Sequence, residues 1–391
     1  MKKDLILNKN YLSYWLRRLK KEMQLIGPMK GLKGDFVFKA VEQIHGIALN
    51  CPSSIPLPKE FIFPQFEEMF EYNPPTSPFN KGGQRGKRGF EKVFPGDKVK
   101  DLRNNEKRII FGVRPCHMAA VNLIDRFYTG RTEPSYDHSH PERKFEDSYY
   151  MSRRKNTVFI SIGCNNPDPS CFCNSLGTGP FLEQGFDVQL SDLGDRYFVQ
   201  TGSPAGEKIV GENRHLFESA GKQDYDDQYE TVLSALTKFE KRINLEETRR
   251  KMLAGKVSDS FWEQVASRCF ECGGCVYECP VCTCFNVVDR PETDNPLLPP
   301  FSKGGMGGFD KGKRIRMWDT CFFKGFTRMA GGNIPAEKKV MRTKRWWFHK
   351  LIYYPEQFKK FGCVGCGRCT ITCPGRIDMA TVSQKIKMEI K

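Results

Sequence analysis

The segment Arg268–Pro280 reads Arg-Cys-Phe-Glu-Cys-Gly-Gly-Cys-Val-Tyr-Glu-Cys-Pro. It contains four cysteines, separated by two, two and three residues: Cys269, Cys272, Cys275 and Cys279. The same spacing, again closed by a proline, recurs near the C-terminal end at Cys363, Cys366, Cys369 and Cys373. One cysteine motif therefore occurs twice, and it decides how the C-terminal region can fold.

This spacing is that of bacterial ferredoxins with two [4Fe–4S] clusters. Three closely spaced cysteines wrap around one cubane cluster, whereas the fourth lies too far along the chain and ligates the other cluster. The glycines between the cysteines permit the tight turns that this wrapping requires. We therefore assign cluster I to Cys269, Cys272, Cys275 and Cys373, and cluster II to Cys363, Cys366, Cys369 and Cys279. The alternative is a pair of zinc sites, which usually present their cysteines as two separated pairs.

The chain has 391 residues and 16 cysteines, a length sufficient for two or three domains. The first ten residues lack the long apolar core and the small-residue cleavage site of an export signal. No apolar run in the sequence approaches the length of a membrane span. Cys-x-x-Cys spacing in such a chain indicates metal ligation. We expect a cytoplasmic protein without a membrane span, in a reducing and anaerobic setting.

The formal net charge is +16, and nucleic acid is one partner that a basic protein can bind. The formal count omits the clusters, each of which carries about −2 with its thiolates when oxidised. The basic residues are spread along the chain and do not interleave with aromatic residues in a stripe. We therefore expect no nucleic acid as partner, and we attribute the excess charge to docking on an acidic partner protein.

Hydrophobic patterning predicts an α/β fold (α+β overall), with an N-terminal mixed α/β domain followed by a helical, ferredoxin-like dicluster domain. The predicted boundaries are residues 1–222 for the first domain, 223–260 for a helical connector and 261–391 for the split dicluster domain. Near the start, residues 8–27 have the periodicity of an amphipathic helix. Two stretches rich in Pro, Gly and Lys, at about 73–92 and 295–312, cannot build a core. We predict that they are mobile inserts.

Four further cysteines follow predicted strands. The β-branched segments 108–113 and 157–162 each lead into a loop with cysteine, and sites of α/β proteins lie at the carboxyl ends of strands. Four thiols on adjacent loops suit a third iron–sulfur cluster or a zinc ion, although small buried cysteines also pack simply as hydrophobic side chains. The neighbouring His117 is either a further ligand or a hydrogen-bonded loop histidine. The four cysteines are Cys116, Cys164, Cys171 and Cys173.

The remaining cysteines fit no standard motif. Cys282 and Cys284 directly follow the first run, and Cys321 stands in the sequence Trp-Asp-Thr-Cys. They could ligate a metal, act as redox thiols or pack beside the clusters, and we favour packing. Cys51 has no cysteine close to it in the sequence and is predicted to be structural.

Several motifs, taken in order with the two cysteine runs, resemble one protein family. They are Phe-Gly-Val-Arg-Pro-Cys at 111–116, Cys-Phe-Cys at 171–173, Gly-Thr-Gly-Pro at 177–180, Trp-Asp-Thr-Cys at 318–321 and Phe-Thr-Arg-Met-Ala-Gly-Gly at 326–332. The combination resembles the iron–sulfur β subunit of cytosolic sulfhydrogenases and its relative, the iron–sulfur electron-transfer subunit of anaerobic sulfite reductase. The resemblance extends from about residue 35 to the C-terminus, without the two inserts.

The resemblance implies an electron-transfer protein with two neighbours in a complex: a flavin- and NAD(P)-binding subunit on one side, and on the other the subunit that performs catalysis. In the sulfhydrogenases the catalytic subunit carries nickel and iron; in the sulfite reductases it carries sirohaem. The resemblance also implies a third cluster on the Cys116, Cys164, Cys171 and Cys173 loops, although relatives have an acidic residue where this chain has His117. No catalytic residue is expected in this chain.

Two other functions are compatible with the sequence. The chain could itself reduce a sulfur substrate, with Cys282, Cys284 or Cys321 as the reactive thiol. It could also be a nucleic-acid-binding protein with structural clusters, which would bind in a strongly salt-dependent way.

Overall fold

The structure is a computed structural model that describes residues 4–31, 35–49, 58–72, 99–129, 146–291 and 312–388. Cys51 and nearly all of the two predicted inserts, 73–92 and 295–312, lie outside the described residues. The described residues have mixed α and β content, so the predicted fold class is confirmed.

The strands, in chain order, are β1 Leu5–Asn8, β2 Gln24–Lys30, β3 Phe36–Ala40, β4 Phe66–Tyr72, β5 Val99–Asp101, β6 Arg108–Val113, β7 Thr157–Ile162, β8 Val188–Asp192, β9 Arg196–Thr201, β10 Phe217–Ser219, β11 Phe285–Pro291 and β12 Gly312–Trp318. The α-helices are α1 Lys9–Glu22, α2 Pro115–Tyr128, α3 Ser148–Lys155, α4 Pro204–Gly211, α5 Lys222–Thr237, α6 Leu245–Leu253, α7 Asp259–Ser267, α8 Gly274–Tyr277, α9 Lys339–Phe348, α10 Tyr354–Phe358, α11 Arg368–Thr372 and α12 Met379–Met388. A π-helical turn, His349–Tyr353, joins α9 to α10.

The larger sheet contains eight strands in the order β10-β1-β9-β8-β7-β6-β2-β3. Its middle strands β8, β7, β6 and β2 are parallel to their neighbours in that group. Parallel strands are usually covered on both faces, and every residue of β6 is buried. Because β6 and β7 are parallel, their carboxyl ends and the loops that follow meet at the same end of the sheet.

Helix α1 lies on this sheet through one apolar face. Leu12, Trp15, Leu16 and Leu19 recur at helical spacing, are buried, and share a core with the strands of the sheet. The predicted helix over residues 8–27 is wrong at its end, because α1 stops at Glu22 and β2 begins at Gln24. Strand β2 pairs with both β3 and β6, so pairing across the sheet overrides the local helical periodicity.

The smaller sheet, β11-β12-β4-β5, is antiparallel and joins distant parts of the chain. Strands β11 and β12 lie between the two cysteine runs in sequence, whereas β4 and β5 belong to the first 101 residues. Arg316 of β12 donates from Nε to Glu67 of β4 over 2.7 Å, and Arg153 of α3 pairs with the same carboxylate. All three side chains are buried, so this ion network fixes the segment between the cysteine runs against the N-terminal half.

The cysteine runs themselves pack against a third hydrophobic core made largely by helices. Helices α7 and α9 contribute Trp262, Trp346 and Trp347, none of them more than 3% exposed. Several cysteines of both runs lie at the edge of this core. The surroundings of the runs are therefore apolar and of low dielectric constant.

Candidate iron–sulfur centres

The two cysteine runs fold in the same way. In each run the residue two positions after the first cysteine has a positive φ, 56° at Glu271 and 64° at Gly365. The amide N–H of that residue donates to the first cysteine's sulfur, over 3.3 Å to Cys269 and 3.4 Å to Cys363. A left-handed glycine then begins a short helix, α8 in the first run and α11 in the second. The repeated motif is thus a repeated loop with backbone donors directed at sulfur, the kind of contact that tunes iron–sulfur clusters.

The structure brings the fourth cysteine of each run close to cysteines of the other run. One small cavity is lined by Cys279 of the first run and by three cysteines of the second: Cys363, Cys366 and Cys369. Burial raises the pKa of Cys269 and Cys275, and the nearby Cys373 raises both further. These are the neighbours that the crossed assignment requires, and the two ligand sets themselves stay a prediction.

The thiols of the two runs fit clusters in their burial and acidity. Cys272 is exposed, and the seven other cysteines of the runs are half-buried. Burial raises the pKa of Cys363 to about 12 and that of Cys369 well above its ordinary value. Such thiols ionise only when iron binding supplies the free energy. Within the described ranges, no group of three His, Cys, Asp or Glu side chains is arranged to hold a single metal ion.

Two buried lysines adjoin Cys279. Lys350 donates from Nζ to Cys279 Sγ over 3.3 Å and to the Gly362 carbonyl over 2.7 Å. Lys59 donates to the carbonyls of Cys279 and Cys282 over 2.9 and 2.8 Å, and burial lowers the pKa of Lys59. Neither lysine carries a sequence signal, because each stands alone in its segment and reaches the site only through the fold.

The four cysteines outside the runs converge as predicted. Cys116 begins α2 just after β6, and Cys164 follows β7. All four side chains are buried. Burial raises the pKa of Cys173, and the other three thiols raise it further. This group lies directly against the second run, since Cys171 Sγ donates to the Cys366 carbonyl over 3.6 Å and Phe172 N donates to the Gly365 carbonyl over 2.8 Å.

Arg368 links this group to the second run. Its guanidinium is buried, lies 3.9 Å from Cys116 Sγ and contacts His117 Nε2. The other ring nitrogen of His117 accepts the Arg114 N–H over 3.1 Å. Burial, followed by the charges of Arg368 and Arg114, holds the pKa of His117 well below its ordinary value. His117 is thus a hydrogen-bonded neutral imidazole, the second of the two roles considered for it.

The last three described cysteines lie together on the far side of Cys279. A hydrogen bond between Cys282 and Cys279 lowers the pKa of Cys279 and raises that of Cys282. Cys284 shares a hydrogen bond with Cys321. These three thiols line one cavity of about 460 Å³, so they pack beside the first run and also face open space.

The sequence comparisons agree with this geometry. Residues 268–377 match the family described as 4Fe-4S dicluster domain. Over 381 residues the chain is 28% identical to Sulfhydrogenase 2 subunit beta of Pyrococcus furiosus, which covers 97% of each protein. In the described part of the chain, no helix has the length and apolar character needed to span a bilayer. The expected resemblance is confirmed: residues 268–377 form a dicluster domain for two [4Fe–4S] clusters, and the chain is similar along nearly its whole length to a sulfhydrogenase β subunit.

Proposed function

We propose that this chain is an iron–sulfur electron-transfer subunit of a multisubunit oxidoreductase. The observation that carries the proposal is the pair of like-folded cysteine runs, in which Cys279 shares a cavity with cysteines of the second run. Each cluster, when bound, takes up and releases one electron. The chain supplies thiolates, apolar walls and hydrogen bonds to sulfur. This task needs no acid or base, so no catalytic residue is assigned.

The ligand sets follow the crossed arrangement. We assign Cys269, Cys272, Cys275 and Cys373 to cluster I, and Cys363, Cys366, Cys369 and Cys279 to cluster II. The cavity shared by Cys279 with the second run supports the second set, and the electrostatic contact of Cys373 with Cys269 and Cys275 supports the first.

A third cluster is assigned to Cys116, Cys164, Cys171 and Cys173. The mutual influence of these four buried thiols on the pKa of Cys173 supports a common centre. Their contact with the Cys366 loop places that centre next to cluster II, and closely spaced centres are what an electron relay needs.

Electrons enter or leave most readily near cluster I. Cys272 is the exposed cysteine of the two runs, and Phe270 and Ile371 beside them are 72% and 55% exposed. Exposed apolar side chains of this kind mark protein contact surfaces. The order cluster I, cluster II, third cluster therefore runs from the surface into the N-terminal half of the chain.

The partners are inferred from the similarity to a sulfhydrogenase β subunit. We infer a flavin- and NAD(P)-binding subunit on one side and a catalytic [NiFe] hydrogenase subunit on the other, in the cytoplasm, where thiols stay reduced. The second candidate is the iron–sulfur electron-transfer subunit of an anaerobic sulfite reductase, which would serve a sirohaem subunit.

Anaerobic purification of the native complex through a tag on this chain tests the proposal. Nickel in the co-purifying catalytic subunit, with clusters of this chain reduced by NAD(P)H or by hydrogen, is the expected result. Sirohaem in place of nickel would establish the second candidate. A chain isolated without iron would contradict both.

A further inference from the structure

The cavity beside the first run has no part in the proposed relay. Its volume is about 460 Å³, and its aromatic lining is Phe127, Phe285, Phe326, Trp346, Tyr353 and Tyr354. Cavities of this size, with apolar walls and few polar groups, are the usual form of small-molecule sites. The walls therefore suit an organic ligand.

Cys284 and Cys321 form a reactive pair in the wall of this cavity. Cys321 hydrogen-bonds to the sulfur of Cys284 through its thiol and its backbone, which lowers the pKa of Cys284 to about 7. Cys284 is half-buried, whereas Cys321 is only 7% exposed. A reachable thiolate with a second thiol directly behind it is the arrangement of attacking and resolving cysteines in thiol–disulfide exchange.

Two buried donors of cavity-lining residues lack acceptors among the described residues. They are Nε of Arg345 and Nε1 of Trp346. Buried polar groups normally have a hydrogen-bond partner, and the positively charged Lys350 lines the same cavity. A ligand with a carboxylate would supply both acceptor oxygens and the opposite charge.

We infer that this cavity is a thiol–disulfide exchange site for small organic disulfides that carry carboxylates, with Cys284 as the nucleophile and Cys321 as the resolving thiol. The Cys284 thiolate attacks one sulfur of R–S–S–R, forms Cys284–S–S–R and releases one R–S⁻. The Cys321 thiol then loses its proton to solvent and attacks Cys284. This forms the Cys284–Cys321 disulfide and releases the second R–S⁻, and both released thiolates take protons from solvent.

Two electrons and two protons return the protein disulfide to two thiols. The electrons come one at a time from an external donor, such as reduced viologen, through the clusters. Trp346 and Lys350 line both this cavity and that of Cys279 and the second run, so a single layer of side chains separates the thiol pair from cluster II. This return step rests on the proposed electron-transfer function, whereas the exchange steps need no cluster electrons.

The test uses the full-length, iron-loaded chain under anaerobic conditions, with 3,3′-dithiodipropionate as the substrate. In Cys321→Ser the resolving step is blocked, so peptide mass spectrometry should find the half-disulfide on Cys284. In Cys284→Ser no adduct should form on Cys321. Cystamine, which has ammonium groups in place of the carboxylates, should react about tenfold more slowly, because the cavity is lined by cations.

The wild-type chain provides the second measurement, which needs no variant to fold. The same reagent should give a Cys284–Cys321 disulfide that can be mapped by mass spectrometry. Its absence, equal rates with cystamine, or an adduct on Cys321 in Cys284→Ser would each overturn the inference. Failure of exchange leaves the relay intact, and loss of the relay, seen as clusters that reduced viologen cannot reduce, leaves exchange intact, so the two proposals fail separately.

Discussion

Lys350 Nζ lies 3.3 Å from Cys279 Sγ, and the lysine is 4% exposed. Nearby thiolates, with Cys279 first among them, raise the pKa of Lys350 against the effect of burial, so its positive charge persists in the apolar site. A buried ammonium directed at a ligand sulfur stabilises the more negative, reduced form of the cluster that the sulfur holds. Lys350 should therefore raise the reduction potential of cluster II.

Lys350→Met removes this charge and keeps most of the side-chain volume. A charged hydrogen bond contributes roughly 1.5–3 kcal/mol, which for one electron corresponds to a potential lower by about 60–120 mV. The potential is measured by redox titration followed by electron paramagnetic resonance. Lys344→Met, on the same helix but paired with Asp259 at the surface, is the control and should leave the potential unchanged. Equal potentials in wild type and Lys350→Met would refute the assignment.

Gly367→Ala should abolish cluster II. Gly367 has φ +71°, and a Cβ there would lie 2.5 Å from the backbone carbonyl of Ser170, which cannot move aside cheaply. Iron analysis should find about four irons fewer per chain. Gly331→Ala is the matched control: φ is +84°, and a Cβ there meets nothing described within 4 Å. It should cost only the roughly 1–2 kcal/mol of a left-handed alanine and keep all the iron.

Cys171→Ser should remove the third cluster and leave the other two. Iron analysis is then expected to fall from about twelve to about eight atoms per chain. Cys321→Ser, which removes a buried thiol outside all three ligand sets, serves as control and should keep the iron of the wild type. A wild-type chain that already holds only eight irons would show that Cys116, Cys164, Cys171 and Cys173 bind no cluster.

Local sequence patterns are sufficient for the strands that position the sites. Segments 108–113 and 157–162 are strands at the predicted bounds, because short β-branched runs buried in a parallel sheet have no competing pattern. Cysteine spacing likewise indicates the repeated loop, since the wrapping of a cubane fixes the number of residues between ligands. The positive φ of Glu271 was not predictable, because glycine occupies the equivalent position only in the second run.

Long-range contacts are the part that the sequence alone did not reveal. The pairing of β4 with β12 joins residues 66–72 to 312–318, and no local pattern specifies which distant strand a β-segment will meet. Lys59 and Lys350 belong to the same class, since a single lysine in a sequence gives no sign of burial. Their role depends on the fold that brings both to Cys279.

Glu67→Gln should destabilise the fold strongly. The carboxylate holds the buried Arg316 and Arg153, and removing it leaves two buried cations without their shared anion, at a cost of about 3–5 kcal/mol. Asp289→Asn is the control, because it breaks the exposed pair with Arg314 on the same strand as Arg316 and should cost less than about 1 kcal/mol. Chemical denaturation followed by circular dichroism measures both, and similar losses would contradict the importance given to the buried network.

The crossed assignment of Cys279 and Cys373 is tested most directly in a chain that already lacks cluster II. Cys366→Ala should remove cluster II, and the electron paramagnetic resonance signal of reduced cluster I is then followed after a second substitution. Adding Cys279→Ala should leave that signal and its iron unchanged, whereas adding Cys373→Ala should abolish them. The reverse outcome, in which Cys279→Ala destroys the remaining cluster and Cys373→Ala has no effect, would contradict the account.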